Sequence, residues 1–360
     1  MGRRATFVYL VSVVTLVLGM SAASAGPPHP VPVGSDRTVT VMTRNLYFGA
    51  DLEPVIAAQT PEQFLSAAVG AFEQAQASDF RARAAAMADE IAAEAPALVG
   101  MQEATWWRVG PLGDAAPAET PLVDFVGLIV DALADRGADY VVLESVEGFD
   151  AELPVPAPIG LDVRLTVGDV LLARADMPTS RLKLSNLQSG QYATTAVIPT
   201  PIGNLPFTRQ WISVDAKVRG RQFRFVTTHL ESIAAPFRIG QAMELRDGPA
   251  DTSLPVVAVG DFNAPVTAAG DATSVLLAAG FVDAWGAVHP GVSGPTCCQD
   301  ADLRNPVSDL ASRIDLILTR GGFTVTDVRR VGVQPDPGLS PLGVLYPSDH
   351  AGVVADLVLP

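Results

Sequence analysis

The feature that most constrains the fold of this chain is an apolar run that ends in two polar side chains. Residues Leu254 to Val259 are apolar and are followed by Gly260, a pattern typical of a buried strand. Asp261 and Asn263 come next, two positions apart, and side chains at that spacing along an extended chain point to the same side. Burying a carboxylate and an amide there is costly unless a polar partner meets them. The run therefore predicts a functional site at a strand end.

Polar residues occupy the same kind of position elsewhere in the chain. Asn45, Glu103 and His229 each follow a predicted strand, and Asp315 lies inside the predicted strand 313–319. Asp349 and His350 precede a last apolar run, residues 351–359. Ligand sites of layered α/β proteins gather at strand ends, so we expect these residues to lie close together. The set is rich in oxygen donors and lacks cysteine, which suits Mg²⁺, Mn²⁺ or Ca²⁺ better than structural zinc.

The segments between these clusters predict helices, hairpins and loops. Thr60 followed by Pro61 marks a helix start, and residues 60–95 predict one or two helices, the second from Asp79 to Glu94. Shorter helices are predicted at 121–136, 238–245 and 272–279, and a hairpin is predicted to join 211–218 to 222–228. Segments rich in proline, glycine or small polar residues predict loops at 108–120, 147–162 and 291–309. Hairpins mixed with helical crossovers predict a layered α/β arrangement, a mixed sheet system covered by helices.

The first 25 residues predict a cleavable secretory signal. Arg3 and Arg4 precede an apolar stretch of about 16 residues, and Ala23-Ser24-Ala25 fits the cleavage pattern for a cut after Ala25. A spanning helix needs roughly 20 apolar residues, so an uncleaved membrane anchor is the weaker alternative. Residues 26–37 are Pro-rich and predict a flexible leader, and residues 38–360 predict one domain. We therefore expect a secreted protein.

Charge and cysteine content exclude some classes of function. The net charge is −15, whereas non-specific nucleic-acid binding favours a basic surface, so only a small basic groove could serve such a ligand. Cys297 and Cys298 are adjacent and cannot join distant segments. Consecutive Cα atoms lie about 3.8 Å apart, below the usual disulfide spacing, so a strained disulfide and two free thiols both stay open.

The polar clusters resemble, in order and residue type, the motifs of the endonuclease/exonuclease/phosphatase family, also called the DNase-I-like superfamily. The matching segments are Thr43-Arg44-Asn45, Gln102-Glu103, Thr228-His229-Leu230, Gly260-Asp261-Phe262-Asn263, Arg313-Ile314-Asp315 and Ser348-Asp349-His350. Each segment alone is common, but six in the family's order over nearly all of residues 38–359 are specific. The resemblance implies a layered α/β sandwich, two mixed β-sheets flanked by helices.

The resemblance also implies a metal site. Glu103 would be the principal ligand of a divalent cation, Mg²⁺ or else Mn²⁺ or Ca²⁺, with Asn45 and Asp349 nearby. One carboxylate supplemented by water and substrate oxygens is the usual coordination of Mg²⁺. Arg209, in Thr208-Arg209-Gln210, would be a phosphate contact.

The remaining residues would carry the chemistry in a protein of this family. Asp261 would orient or deprotonate the attacking water, and Asn263 would donate to a phosphate oxygen. Asp315 would hold His350 in one tautomer and make it more basic. His229 would stabilise the transition state or protonate the leaving oxygen.

A catalytic tyrosine of some relatives has no motif here, although Tyr140 and Tyr192 are candidates to replace it. Trp106 and Trp107 favour core packing over a substrate-facing shelf.

The resulting expectation is a secreted, metal-dependent phosphoesterase that hydrolyses a phosphodiester by in-line attack of water. Its substrate partner would be a nucleic acid or a phospholipid head group, and we expect a monomer without an obligate protein partner. The first alternative is a sphingomyelinase-like or other lipid phosphodiesterase, which would carry an exposed apolar hairpin near the site. The second is a catalytically silent binding protein on the same scaffold, which would have lost catalytic residues that all six motifs retain.

Overall fold

The computed structural model describes residues 37–156, 159–340 and 343–360. The predicted signal peptide and nearly all of the predicted leader lie outside these residues and stay predictions. No helix within the described ranges has the length and apolarity needed to cross a bilayer.

Most of the chain is built into two large sheets. The strands are β1 (Thr38–Asn45), β2 (Leu98–Pro111), β3 (Thr120–Asp124), β4 (Tyr140–Val155), β5 (Leu161–Arg174), β6 (Leu182–Gln191), β7 (Ala196–Thr200), β8 (Gly203–Phe207), β9 (Gln210–Val218), β10 (Arg221–His229), β11 (Val256–Asp261), β12 (Val282–Asp283), β13 (Asp315–Arg320), β14 (Thr324–Val331), β15 (Asp336–Ser340), β16 (Gly343–Leu345) and β17 (Gly352–Val358). The helices are α1 (Glu53–Ala57), α2 (Pro61–Ala77), α3 (Phe80–Glu94), α4 (Phe125–Asp135), α5 (Ala235–Asp247), α6 (Ala272–Ala278) and α7 (Ala284–Val288).

The first sheet has the strand order β14-β17-β1-β2-β5-β4, with β3 paired to β2, and the second has the order β12-β13-β11-β10-β9-β6. Each sheet contains one parallel pair, β1 with β2 and β10 with β11, whereas the other pairs are antiparallel. Both sheets are therefore mixed, as predicted. Two small two-stranded sheets, β7-β8 and β15-β16, were not predicted.

Alternation along the strands explains why the sheets stack. Val257 and Val259 of β11 join a buried cluster with Leu98 of β2, whereas Val256 and Ala258 pack with α5 and α6 on the opposite face. Because successive side chains of a strand point to opposite faces, β11 must be covered on both sides. The outer face of the first sheet packs against α2, α3 and α4 in the same way. The result is the predicted sandwich of helices, sheet, sheet and helices.

One predicted loop is mainly strand, and a second is partly strand. In the Pro-rich segment 147–162, β4 continues to Val155 and β5 begins at Leu161. β4 is an edge strand, and an edge tolerates proline because one row of its N–H groups has no partner strand. Similarly, β2 runs into the predicted loop 108–120 and ends at Pro111. The predicted helix 121–136 starts later, at Phe125, because residues 120–124 pair with β2 as β3.

Candidate active site

Strand pairing brings three of the predicted residues to one place. In the parallel pair, His229 of β10 lies opposite Asp261 of β11, and both strands end at these residues. In the neighbouring antiparallel pair, Asp261 lies opposite Asp315, the first residue of β13. The second sheet thus delivers an imidazole and two carboxylates to a single edge, and all three are at most 4% exposed.

The first sheet delivers its residues to the same edge. Asn45 ends β1, and its Nδ2 donates to Glu103 Oε1 at 3.1 Å and to Asp261 Oδ2 at 3.2 Å. His350 lies directly after Asp349 and two residues before the start of β17. A pocket of about 210 Å³ opens here and is lined by catalytic candidates from both sheets: Glu103, Arg209, His229, Asp261, Asn263 and His350.

Unusual backbone conformations aim two of these side chains. Glu103 has φ of +56°, and it lies in a register shift of β2 against β5 between Met101 and Ala104. This bulge turns the Glu103 side chain out of the regular alternation of β2. Asn263 has φ of +49°, and its backbone N–H donates to Asp261 Oδ1 at 2.8 Å. Positive φ is uncommon in residues other than glycine, and such residues cluster at functional sites.

His350 and Asp315 form a buried pair. The Nδ1 atom of His350 lies 2.7 Å from Asp315 Oδ2 and 3.9 Å from Asp261 Oδ2. Burial alone would lower the pKa of His350, but the carboxylates of Asp315, Asp349 and Asp261 outweigh burial and raise this pKa well above its ordinary value. The pairing fixes the orientation of the ring, and the catalytic role of Asp315 stays a prediction.

His229 has a different environment. Arg209 Nη1 lies 3.1 Å from Nδ1 and Asn263 Nδ2 lies 3.1 Å from Nε2, so donors face both ring nitrogens. A neutral ring can accept at only one of them. Burial and the Arg209 cation hold the pKa of His229 well below its ordinary value. The two histidines therefore differ in charge preference although they share one pocket.

Carboxylates are in excess at the centre of the site. Burial and the neighbouring Asp315 charge raise the pKa of Asp261 to about 7. Burial, opposed by His350 and reinforced by Glu103, raises the pKa of Asp349 to about 6. Carboxyl groups with raised pKa values that crowd together in a buried place are the arrangement that a cation would neutralise.

The donor set fits a hard divalent cation. Glu103 accepts from the Phe48 N–H at 3.0 Å through Oε2, so the carboxylate is fixed in orientation. The Asn45 NH2 group donates to the carboxylates of Glu103 and Asp261. Its side-chain oxygen accepts from the Tyr47 N–H at 2.9 Å, which leaves one lone pair on that oxygen. Asp261, Asp315 and His350 also present ligand atoms within 4.8 Å of one another, but the hydrogen bond between His350 and Asp315 already occupies two of these atoms. Glu103 and Asp349, with Asn45, are a second set of oxygen donors that could hold an ion.

Two buried arginines, which sequence reasoning had not assigned, support the loops of the site. Arg83 of α3 donates to the carbonyl oxygens of Pro347 at 2.8 Å and Tyr47 at 2.9 Å. Arg44 donates to the His350 carbonyl oxygen, and its Nε lies 3.1 Å from Glu90 Oε2. Both guanidinium groups are fully buried. Arg83 connects the loop after β1 to the segment that carries Asp349 and His350, and Arg44 connects that segment to α3.

Sequence reasoning also missed a carboxylate. Asp169 of β5 is fully buried, and its Oδ1 lies 3.9 Å from His229 Nδ1. Neither of its oxygens has a hydrogen-bond partner among the described residues. Burial raises its pKa well above the ordinary value, and the charges of Glu103 and Asp261 add to this effect against the opposing cation of Arg209. Asp169 lies in the middle of a long strand and no motif surrounds it, so no sequence signal marked it.

The two candidate tyrosines do not reach the pocket. The hydroxyl of Tyr140 donates to the Pro96 carbonyl oxygen, and Tyr192 is hydrogen-bonded to Thr228. Both rings are buried, so neither supplies a catalytic phenol. Trp107 belongs to the core, as favoured from the sequence, and Arg108 lies over the ring of Trp106.

The adjacent cysteines are joined by a disulfide and line the pocket beside His350. Cys298 Sγ lies 3.8 Å from His350 Nε2. Of the two alternatives left open by the sequence, the structure has the disulfide. This part of the wall thus places a sulfur atom, a weak hydrogen-bond acceptor, beside the His350 ring.

Comparisons with known proteins agree with this geometry. The sequence matches a family model described as "Endonuclease/Exonuclease/phosphatase family" over residues 45–350, whereas a search of curated proteins finds no match. Among solved structures, a mannosyl-6-phosphatase of Bacteroides thetaiotaomicron is 15% identical with a TM-score of 0.57, over 89% of this chain and 100% of that chain.

Two further structures give the same result. An endonuclease/exonuclease/phosphatase from Beutenbergia cavernae is 22% identical with a TM-score of 0.56, over 90% of this chain and 72% of that chain. TDP2 of D. rerio, in complex with a single-strand DNA product, is 16% identical with a TM-score of 0.50, over 89% and 98%. At these identities the likeness establishes a common fold.

Proposed function

Since this chain belongs to the endonuclease/exonuclease/phosphatase family, we propose that it is a divalent-metal-dependent phosphoesterase that hydrolyses a phosphodiester by in-line attack of water. The observation that carries this proposal is the convergence of Asp261, Asn263, His229 and the Asp315–His350 pair on one pocket. Such a set of acid, base and hydrogen-bond donors fits phosphoryl transfer to water.

Each of these residues has a separate role in the proposed reaction. Asp261, held by the Asn263 N–H and the Asn45 amide, orients the water and takes one of its protons. The water oxygen forms a bond to phosphorus as the bond from phosphorus to the leaving oxygen breaks. Asn263 donates to a phosphate oxygen. The leaving oxygen takes a proton from His350, whose surroundings favour the protonated ring, whereas His229 is held neutral.

A phosphodiester is an anion, and the site already holds several carboxylates. Arg209 is the single arginine or lysine among the described residues that line the pocket. A bound Mg²⁺ or Mn²⁺, held by Glu103 and Asp349 beside Asn45, would offset the repulsion and stabilise negative charge on the leaving group.

The scarcity of basic side chains also bears on the substrate. A nuclease tracks the phosphate backbone with several lysines or arginines, whereas the described wall of this pocket supplies only Arg209. The structural neighbours act on different phosphoesters, since one is named a mannosyl-6-phosphatase and another was crystallised with a DNA product. We propose a substrate with one phosphoester in the site and few contacts to flanking phosphates. The signal sequence further leads us to propose that the enzyme is exported.

The first test uses bis(4-nitrophenyl) phosphate with Mg²⁺, Mn²⁺ and Ca²⁺. We expect metal-dependent hydrolysis, and we expect His350→Ala and Glu103→Gln each to lower kcat by at least about 10²-fold. Calorimetric titration with Mn²⁺ should show weaker binding to Glu103→Gln than to the wild type. Glu73→Gln, an exposed position of α2, is the matched control and should keep both properties.

The effect of the leaving group on activity tests which of the two histidines donates the proton. The variant that lacks the proton-donating histidine should lose more activity on a phosphodiester whose leaving group is a simple alcohol than on one whose leaving group is 4-nitrophenol. The reason is that nitrophenolate leaves without a proton. Full activity of His350→Ala and Glu103→Gln would show that the catalytic site lies elsewhere. A wild-type protein that binds no divalent cation would support the silent scaffold.

A further inference from the structure

A second cavity adjoins the catalytic pocket, and it is almost entirely apolar. It encloses about 160 Å³ between α1, α2, the ends of β4 and β5, and the β7-β8 hairpin. Among the described residues that line it, Glu152 and Thr200 carry polar side chains and Trp107 adds an indole N–H. The catalytic mechanism proposed above uses none of this cavity.

The two spaces share a wall. Six residues line both the apolar cavity and the catalytic pocket: Leu52, Ile56, Phe149, Leu165, Ile198 and Phe207. The rings of Phe149 and Phe207 stack with their centroids 4.6 Å apart. The guanidinium of Arg209 lies 5.7 Å from the Phe207 centroid, so this short segment passes from the apolar wall to the cation of the catalytic pocket.

The wall also reaches the surface through apolar side chains. Ile56 is 44% exposed and Ile202 is 45% exposed, and both line the cavity. Val197, on the same hairpin as Ile202, is 53% exposed. An apolar group attached to the substrate phosphate could therefore enter without crossing a polar rim.

The chemistry of the wall selects the occupant. A nucleobase or a sugar in this cavity would lose its hydrogen bonds to water and find almost no replacement, which is costly. A hydrocarbon chain would gain free energy for each methylene removed from water. We infer that the cavity is a subsite for the hydrocarbon chain of an alkyl or lipid phosphoester, a deepening that rests on the proposed phosphoesterase function.

The volume sets a length for the bound segment. A cavity of about 150 Å³ lined by Leu, Ile and Phe side chains is known to hold one benzene molecule. The present cavity of about 160 Å³ therefore accommodates on the order of six carbon atoms. Longer chains would extend past Ile56 and Ile202 into solvent or into a lipid assembly.

Binding of non-hydrolysable n-alkylphosphonates tests this subsite independently of turnover. In the presence of Mn²⁺, and at concentrations below micelle formation, we expect Kd to fall about three- to fourfold per added methylene up to roughly hexyl. Beyond that length Kd should change little. The heat capacity change of binding should become more negative over the same range, as expected for burial of apolar surface.

Two substitutions should abolish the dependence on chain length. Ala68 of α2 and Ala151 of β4 line only the apolar cavity, so Ala68→Phe and Ala151→Leu fill it from two walls. Both variants should bind methylphosphonate as the wild type does and should show no gain from longer chains. Ala77→Phe is the matched control, because Ala77 is an exposed position of the same helix outside the cavity.

The outcomes separate the two proposals. If wild-type Kd is independent of chain length, the subsite inference is wrong even when the protein hydrolyses phosphodiesters. If Kd depends on chain length but no phosphoester is cleaved, the subsite stands and the proposed activity fails. A wild-type dependence that survives in correctly folded Ala68→Phe and Ala151→Leu would place the chain elsewhere and overturn the inference.

Discussion

At the scale of the residue, the site depends on side chains that fix one another. Asp315 is 1% exposed, its backbone N–H donates to Thr296 Oγ1 at 3.1 Å, and its side chain meets His350 at 2.7 Å. The other oxygen of Asp315 has no hydrogen-bond partner among the described residues. The carboxylate is thus held in one orientation, and its hydrogen bond holds the His350 ring in one orientation as well.

This rigidity predicts the effect of Asp315→Asn. An amide can donate to the His350 nitrogen that now faces a carboxylate, which favours the wrong tautomer, so kcat should fall by about 10²- to 10⁴-fold. KM should change little, because Asp315 does not face the substrate. Steady-state kinetics on bis(4-nitrophenyl) phosphate measures both.

Asp315→Glu retains a carboxylate and should recover part of the loss. Asp327→Asn, at a partly exposed acid of β14 that pairs with Arg329, should keep the wild-type kcat. Equal kcat for Asp315→Asn and wild type would mean that His350 needs no partner to orient it.

The residues that were predictable from the sequence are those at strand ends. Asp261, Asn263 and His229 follow runs of buried residues directly, so their positions could be derived from alternation and strand termination. Asp169 could not, because it faces the site from the middle of β5 and only the packing of the two sheets places it beside His229. Arg83 and Arg44 were also hidden, since the sequence does not show that a helix and a strand bury their charges.

At the scale of the element, the layer of helices on the second sheet is joined by an ion pair. Arg238 of α5 donates to both oxygens of Asp271, at 2.7 and 2.6 Å. Asp271 is also the N-cap of α6, where its side chain accepts from the Ala272 N–H at 2.7 Å. One carboxylate thus joins two helices, and both partners are largely buried.

Asp271→Asn should therefore lower the free energy of unfolding by about 1–3 kcal/mol at pH 7, since it removes a bidentate, charge-assisted pair. Burial acts to raise the pKa of Asp271, but hydrogen bonds from Arg238 and the Ala272 N–H lower it overall. A carboxyl group with a lowered folded pKa adds stability above its unfolded value of about 3.9 and loses it as pH falls through the folded pKa. Urea titrations should show a constant difference near neutral pH that shrinks in acid.

The exposed pair of Arg246 and Asp247, in α5 itself, provides the comparison. Asp247→Asn should give no measurable change in the free energy of unfolding near neutral pH or in acid, because solvent screens the charges. A difference between Asp271→Asn and wild type that grows in acid would contradict the assignment of the pair.

Helices and strands were predicted correctly where one buried face sets the pattern of apolar residues. They were missed where the strand lies at the edge of a sheet. α3 and β11 follow directly from capping and burial signals. β4 did not, because its prolines lie in an edge strand whose tolerance depends on having no neighbour on one side. The β7-β8 hairpin stands outside both large sheets, and its turn signal, Pro201 and Gly203, was not recognised.

At the scale of the whole molecule, the two sheets interlock at the depth of the active site. Gln102 accepts from Thr43 within the first sheet at 3.0 Å and donates across to Thr227 of the second at 3.1 Å. Gly100 lies beside this bridge, and a Cβ atom there would lie 2.2 Å from Thr227 Oγ1 and 2.9 Å from Val259 Cγ2. The glycine is what permits the sheets to approach this closely.

Gly100→Ala should force the sheets apart locally. We expect the free energy of unfolding to fall by about 1–3 kcal/mol, the usual cost of overpacking a core, and activity to fall with it. Urea denaturation and phosphodiesterase kinetics measure the two effects.

Gly70→Ala provides the opposite case, because a Cβ at Gly70 of α2 meets no atom within 4 Å. That substitution should raise stability by about 0.5–1 kcal/mol through helix propensity. If Gly100→Ala proved as stable as Gly70→Ala, the close approach of the sheets would have no energetic consequence.

The division of the site between two sheets has a consequence for when activity first appears. Asn45 and Glu103 belong to early strands, His229 and Asp261 to strands made much later, and His350 immediately precedes β17, which inserts between β14 and β1. A ribosome-bound chain that has not yet released β17 holds most of the catalytic groups but cannot assemble them. The proposed activity thus requires that β17 has taken its place between β14 and β1, so it reports that the first sheet has closed.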